Sequence, residues 1–257
     1  MTLARALAWM LLAAPLAAAA SESVKLDRLP ADISPHDLVS LQRGAQVYIN
    51  YCMGCHSAAH MRYNRLQDLG LTLQQIRDNL IFTGAKVGEL MKIAMDPQQS
   101  KEWFGTPPPD LTLIARSRSS GAGSGADWLY SYLRGFYRDP SRPSGWNNTV
   151  YPNVAMPHVL WQLQGEQALT TEVVAIPRGN QGEVEKHEVQ KLVLEKPGTM
   201  SPAEYNRLVG DLVNFLGYVA EPSRQSRIDV GIYVLMFLAL LFVFAYLLKK
   251  EYWKDVH

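Results

Sequence analysis

The chain has 257 residues, 47% of them hydrophobic and 19% charged, proportions that fit one folded domain with extra segments. A formal net charge of +1 leaves no basic surplus, which excludes nucleic acid as an expected partner. With Arg5 and everything from Asp229 onward set aside, basic and acidic residues balance, so any charged docking patch must come from arrangement.

Residues 1–20 carry one cation (Arg5), an apolar run from Leu7 to Leu16 and the small residues Ala17–Ala20. That layout predicts a secretory signal peptide cleaved near Ala20. Residues 21–33 read as extended. Ser34-Pro35-His36-Asp37 then reads as a helix start, with serine as the cap and proline at the first helical position. Leu38, Leu41, Ala45 and Tyr48 follow at helical spacing, so a helix is expected to run into Cys52.

Cys52-Met53-Gly54-Cys55-His56 is the attachment pattern of a covalent c-type haem. Two thiols at this spacing add across the vinyl groups of the macrocycle, and the adjacent imidazole becomes an axial ligand. Export agrees with it, because c-type haem is attached outside the cytoplasm. A structural thiol pair, a thioredoxin-like redox pair and half of a zinc site are the alternatives. These are the only two cysteines, and a zinc site needs more ligands. The redox pair needs a βαβ setting, whereas a helix precedes Cys52.

Tyr51 to Leu66, with His60, Met61 and Tyr63, reads as a loop around the haem edge. Thr72 and Gln75 form a capping box for a helix through about Leu80. Met91 and Met95 read as packing residues. Pro107-Pro108-Pro109-Asp110 predicts a stiff extended segment, followed by helix through Ile114 and a glycine-rich loop at 119–125. Asp127 is the expected cap of a helix carrying Leu129, Leu133 and Phe136. A polar stretch leads to Tyr151-Pro152-Asn153-Val154-Ala155-Met156-Pro157-His158. The valine-rich stretch about 171–194 predicts a β-hairpin. Ser201 and Glu204 cap a helix with the stripe Tyr205, Leu208, Val209, Leu212, Val213, Leu216 and Val219, ended by Glu221-Pro222. Val230 to Leu248 holds no charge and spans roughly 28 Å as a helix, close to a bilayer's hydrocarbon thickness. Lys249, Lys250 and Lys254 follow it, which predicts a short tail on the cytoplasmic side.

Haem iron has a second axial position. Met156 sits in a proline-bounded loop with no periodicity to explain it, and is the leading candidate. His158 and His60 are bis-histidine alternatives, with Met61, Met91 and Met95 behind them. Arg116 and Arg118 are candidate partners for the haem propionates, or are two solvated arginines.

Together these stretches resemble the cytochrome c1 family, the haem subunits of ubiquinol–cytochrome c reductase (cytochrome bc1) complexes. The resemblance rests on Arg43–Tyr48 leading into Cys52–His56, Pro108-Pro109-Asp110-Leu111, Arg116-Ser117-Arg118, Asp127-Trp128, Tyr151–Pro157, Gly198–Ser201 and Ala220-Glu221-Pro222, ahead of a single late apolar helix. The family often has glycine and glutamine before its methionine, where this chain has Asn153-Val154-Ala155. The implied fold is mainly α, a c-type cytochrome domain with a small β-hairpin insertion plus one C-terminal transmembrane helix. The implied division is a signal peptide (1–20), a periplasmic cytochrome c domain (21–227), a transmembrane helix (228–248) and a cytoplasmic tail (249–257).

The resemblance also implies one heme c held by Cys52 and Cys55, His56 and Met156 as iron ligands, and a propionate partner at Arg116 or Arg118. The implied partners are cytochrome b, a Rieske iron–sulfur protein and a c-type cytochrome acceptor, in a dimeric complex of the cell inner membrane. The subunit would be a relay within an oxidoreductase, with no substrate chemistry of its own. A membrane-anchored cytochrome feeding a terminal oxidase and a peroxidase-like c-haem enzyme are the competing functions.

Overall fold

The computed structural model describes residues 25–178 and 183–255; the expected signal peptide and the hairpin tip at 179–182 lie outside the described residues. In chain order the elements are α1 (Leu38–Val47), β1 (Ala58–Arg62), α2 (Leu73–Leu80), β2 (Leu90–Met91), α3 (Pro97–Phe104) and α4 (Ile114–Ser117). Next come α5 (Gly125–Arg134), β3 (Phe136–Arg138), β4 (Trp146–Asn148), α6 (Trp161–Gln164), β5 (Gly165–Arg178), β6 (Glu183–Pro197), α7 (Pro202–Ala220) and α8 (Arg224–Tyr252). A π-turn at Tyr48–Cys52 continues α1, and a 3₁₀ helix covers Tyr63–Leu69.

The core is organised by the crossing of α1 and α7. Gly44 lies against the α7 backbone: a Cβ built there would sit 2.1 Å from the Asp211 carbonyl oxygen. Only glycine permits that approach. Beside it Asp211, 2% exposed, accepts from Ser40 Oγ at 2.6 Å, Arg43 Nε at 2.5 Å and Arg43 Nη2 at 3.0 Å. Asn214 Nδ2 donates to Ser40 Oγ and to the Ser34 carbonyl. The carboxylate is therefore fully used, as a buried charge must be. Tyr48 and Phe215 complete the crossing, with ring centroids 5.7 Å apart.

The expected helix caps need two corrections. Asp37, not Ser34, is the N-cap of α1, its Oδ1 accepting from the Val39 and Ser40 amides. Ser34 and Pro35 belong to a turn closed by the Asp37 amide on the Ser34 carbonyl, and the acid nearer the helix takes its free N–H groups. Ser124 caps α5, and Asp127 is the reciprocal third-position partner. Asp127 Oδ1 also accepts from the Leu29 amide, tying the extended N-terminal stretch to α5. Phe136 is not on that helix; the chain leaves it at Gly135 and Phe136 starts β3. The capping boxes at Thr72–Gln75 and Ser201–Glu204 form as expected.

Three short features carry no clear sequence period: the β1–β2 pair, the β3–β4 pair and α3, capped by Asp96 with Pro97 at its start. The expected hairpin is present and longer than 171–194. Its strands pair from Gly165↔Pro197 out to Arg178↔Glu183. The final helix exposes every side chain, and its 29 residues are long and apolar enough to cross a membrane.

Glu166 ties the hairpin base to the domain, accepting from Arg138 Nη2 on β3 at 3.0 Å and Lys196 Nζ on β6 at 3.1 Å. These two donors hold its carboxyl down to about 2, from the usual 4.5. A depressed folded-state pKa contributes stability above pH 4.5 that is lost as pH falls through about 2. Hydrogen exchange, corrected for intrinsic rates, should show amide protection at the hairpin base falling over that window. Glu166→Gln should flatten that dependence.

Candidate haem site

The π-turn that ends α1 places the attachment motif. The Met53 amide reaches back to the Tyr48 carbonyl at 2.9 Å, and the Cys55 and His56 amides both close on the Cys52 carbonyl. Cys52 is buried and Cys55 is partly exposed, and both thiols are free. Burial pushes the Cys52 thiol up to about 12, so it stays protonated. Tyr48, fully buried, donates its hydroxyl to the His56 carbonyl at 2.8 Å.

The triple-proline segment supplies the next wall. His56 Nδ1 lies 2.7 Å from the Pro109 carbonyl oxygen. A carbonyl only accepts, so Nδ1 carries the hydrogen and Nε2 keeps its lone pair for a metal. Burial lowers the imidazole pKa against the opposing pull of the Pro109 carbonyl and Asp110, favouring the neutral, ligating form. The segment is fastened on both sides of this bond. Asp110 accepts from the Ala59 and Thr112 amides at 2.7 and 2.8 Å, and the Leu111 amide donates to the Ser57 carbonyl at 2.8 Å.

From there the chain turns through α4 to Arg118, which lies over Trp128 at 4.6 Å and Tyr151 at 5.7 Å from the ring centroids. Its Nε is buried with no partner. Trp128 stacks on Tyr132 with centroids 4.8 Å apart, and Tyr132 Oη donates to the Met156 sulfur at 3.3 Å. Met156 is partly buried against the core. Arg118, Trp128, Tyr132 and Met156 thus form a connected line from the guanidinium to the thioether.

The other candidates fall elsewhere. His158, 2% exposed, stacks on Phe136 with centroids 4.8 Å apart and meets Trp146 edge-on; burial lowers its pKa to about 4. It is a neutral core aromatic. Met61 and Met91 are buried packing residues, and His60 is exposed. Arg116 differs from Arg118: its side chain is 63% exposed and it lies 4.0 Å from Glu221, which also pairs with Arg227. Tyr132 has no signal of its own in the sequence and Trp128 only the Asp127-Trp128 motif; their roles come from stacking.

These residues fit a covalent haem. The thiols are unbridged, one imidazole nitrogen is committed to the protein and the other is free, and a buried guanidinium nitrogen lacks an acceptor. Among the described residues, no group of three or more His, Cys, Asp or Glu side chains converges as a metal-ion site, so the zinc alternative has no ligand set.

Comparison with known proteins agrees. The Cytochrome C1 family model matches residues 31–87 and 95–256. The chain belongs to the cytochrome c1 family. It is 49% identical over 228 residues, 88% of each chain, to Cytochrome c1 of Allochromatium vinosum. It is 48% identical over 248 residues, 96% of each chain, to the Ammonia monooxygenase gamma subunit of Nitrosomonas europaea. Cytochrome c1 of Rhodobacter capsulatus is 27% identical over 244 residues, 85% of this chain and 84% of that one. Membership of the cytochrome c1 family makes this chain an electron-transfer subunit of the bc1 type carrying a covalent c-type haem, and the apolar α8 fits its membrane anchoring.

The Tyr48 hydroxyl is the buried donor to the carbonyl of His56 itself. Tyr48→Phe should cost about 1–3 kcal/mol, read as a lower denaturation midpoint, because that carbonyl loses its protein donor.

Proposed function

We propose that Cys52 and Cys55 hold the haem as thioethers, that His56 Nε2 and the Met156 sulfur ligate its iron, and that Arg118 pairs with a propionate. The observation that carries this reading is the His56 Nδ1–Pro109 bond, which fixes one tautomer and points the free nitrogen away from its backbone partner. The bound haem supplies one-electron exchange between ferric and ferrous iron.

The chain's own residues set the conditions for that exchange. Pro109 orients the imidazole and raises its basicity as a ligand. Tyr132 directs its hydroxyl at the thioether and limits how far Met156 can swing. Arg118, stacked on Trp128 with its Nε unpartnered, presents a fixed cation to a carboxylate. With His56 and Met156 both as ligands the haem would be closed to other ligands, which suits a relay and does not suit peroxidase chemistry.

In this reading the subunit accepts electrons from a Rieske iron–sulfur protein and passes them to a c-type cytochrome, in a dimeric complex with cytochrome b. The haem domain at 21–227 faces the periplasm after removal of residues 1–20. The lysines beyond α8 stay on the cytoplasmic side, as positive flanks of a membrane helix do. The hairpin is an insertion on the cytochrome domain.

A second reading follows from the Nitrosomonas relative: the same haem domain delivering electrons to a monooxygenase. Co-purification separates the two, since cytochrome b and an iron–sulfur protein would accompany the chain in one case and a monooxygenase in the other.

Met156→Leu should keep the covalent haem, lose the thioether–iron absorption band near the red end of the visible spectrum, and lower the potential. An unchanged spectrum would remove Met156 as the ligand. Arg118→Gln should lower the potential in a redox titration, because a cation near the haem disfavours the oxidised, more positive state. The exposed Arg116→Gln should leave it within error of the parent. Equal effects would sink the assignment to Arg118.

A further inference from the structure

The segment that presents Met156 has no regular structure of its own between Val150 and Met156. Its backbone is nevertheless anchored at several points, and every anchor among the described residues comes from the β3–β4 unit. Asn148, 1% exposed, donates its amide to the Tyr132 carbonyl at 2.8 Å and accepts through Oδ1 from the Val150 and Tyr151 amides at 2.8 and 3.1 Å. Asn147, 7% exposed, accepts through Oδ1 from the Asn153 amide at 2.8 Å, while its Nδ2 donates to Asp139 Oδ2 at 2.8 Å. Arg142, in the turn between the strands, donates from Nη2 to the Asn153 carbonyl at 2.9 Å and from Nη1 to Asn153 Oδ1 at 3.2 Å.

All of Asn153's polar atoms except its amide NH₂ are thereby gripped from two sides. Asn153 is also the only non-glycine residue with positive φ among the described residues, at +62°. That left-handed conformation is uphill for a residue with a side chain, although asparagine tolerates it better than most. It persists where the surroundings over-determine it, and it reverses the chain three residues before Met156.

We infer that Arg142 and Asn147 are positioning residues for the iron relay: they clamp Asn153 in its left-handed turn and thereby hold the Met156 sulfur in place. This rests on Met156 being the ligand. The hydrogen bond to the thioether comes from Tyr132, not from either residue. Their effect is on how often the loop opens and frees the sixth coordination position. The physical logic is that of a preorganised ligand: a stiff loop keeps a weak thioether bond made in both oxidation states, whereas a loose one lets competing ligands enter.

The test uses the full-length chain carrying its haem, purified in detergent, with the ferric form titrated with imidazole. Arg142→Ala and Asn147→Ala should each raise the apparent imidazole affinity about tenfold, the change expected when one or two hydrogen bonds holding the closed loop are lost. The thioether–iron band should weaken in both, with covalent haem content and far-ultraviolet circular dichroism as in the parent. Arg142→Lys keeps the charge on one donor nitrogen but loses the two-pronged grip, and should fall between, which a general loss of stability would not produce. Arg207→Ala, which removes an exposed arginine paired with Asp32, should titrate as the parent. Parent-like titration of both alanine variants, with Met156→Leu binding imidazole readily, overturns the clamp and leaves the ligand assignment standing. A parent-like Met156→Leu removes the ligand assignment, and the clamp with it.

Discussion

The close crossing of α1 on α7 is the constraint on which the rest depends. The haem motif is the continuation of α1, so whatever fixes α1 fixes the two thiols and the imidazole. Gly44 lets the backbones approach, and Asp211 turns that approach into a specific register by accepting from side chains one turn apart on α1. A greasy contact alone would tolerate sliding. A buried carboxylate with three donors does not, because each donor lost leaves an uncompensated charge in a low-dielectric interior. Tyr48 extends the same logic one turn further, with its ring on Phe215 and its hydroxyl on the His56 carbonyl.

Around this anchor the site is built by segments with little regular structure. The triple-proline stretch is held by Asp110 and the Leu111 amide, the N-terminal stretch by Asp127 and Ser131, and the methionine loop by the asparagine pair. Side-chain oxygens here do the work that a sheet ladder does elsewhere, satisfying backbone amides that have no neighbouring strand. For a relay this has a consequence. Electron exchange asks for ligands that barely move between two charge states, and many short, fully used hydrogen bonds restrict that movement without needing a large core.

The aromatic line from Trp128 through Tyr132 to Met156 ties Arg118 and the thioether together. Arg118 sits at its head, over the Trp128 face, and Tyr132 at its foot, on the sulfur. Stacked rings are stiff and carry few rotamers, so the cation and the thioether share one frame. The membrane helix stands apart from this frame. Its side chains are all exposed, and the ion pairs of Glu221 with Arg116 and Arg227 lie at the junction between domain and anchor.

Much of this was legible in the residues, and the divide follows the range of the interaction responsible. Cys52–His56, the capping boxes at Thr72 and Ser201, the end of α7 at Glu221-Pro222 and the apolar α8 depend on neighbours within a turn or on composition over one stretch. The sequence by itself therefore determined them. Competition between two nearby caps was already beyond it: Ser34 and Asp37 are both sound cap residues, and only the turn at Pro35 decides between them. Strands of two or three residues, such as β2 and β3, are too short to show a period. Met156 and His158 look alike in the sequence for the same reason that Arg116 and Arg118 do. Residues two apart share a local environment, and only the rings folded over them from distant segments, Phe136 and Trp146 on His158 and Trp128 on Arg118, bury His158 in the core and cover Arg118 while Arg116 stays exposed. Burial and orientation are set by residues far away in the chain, so only the tertiary structure decided them.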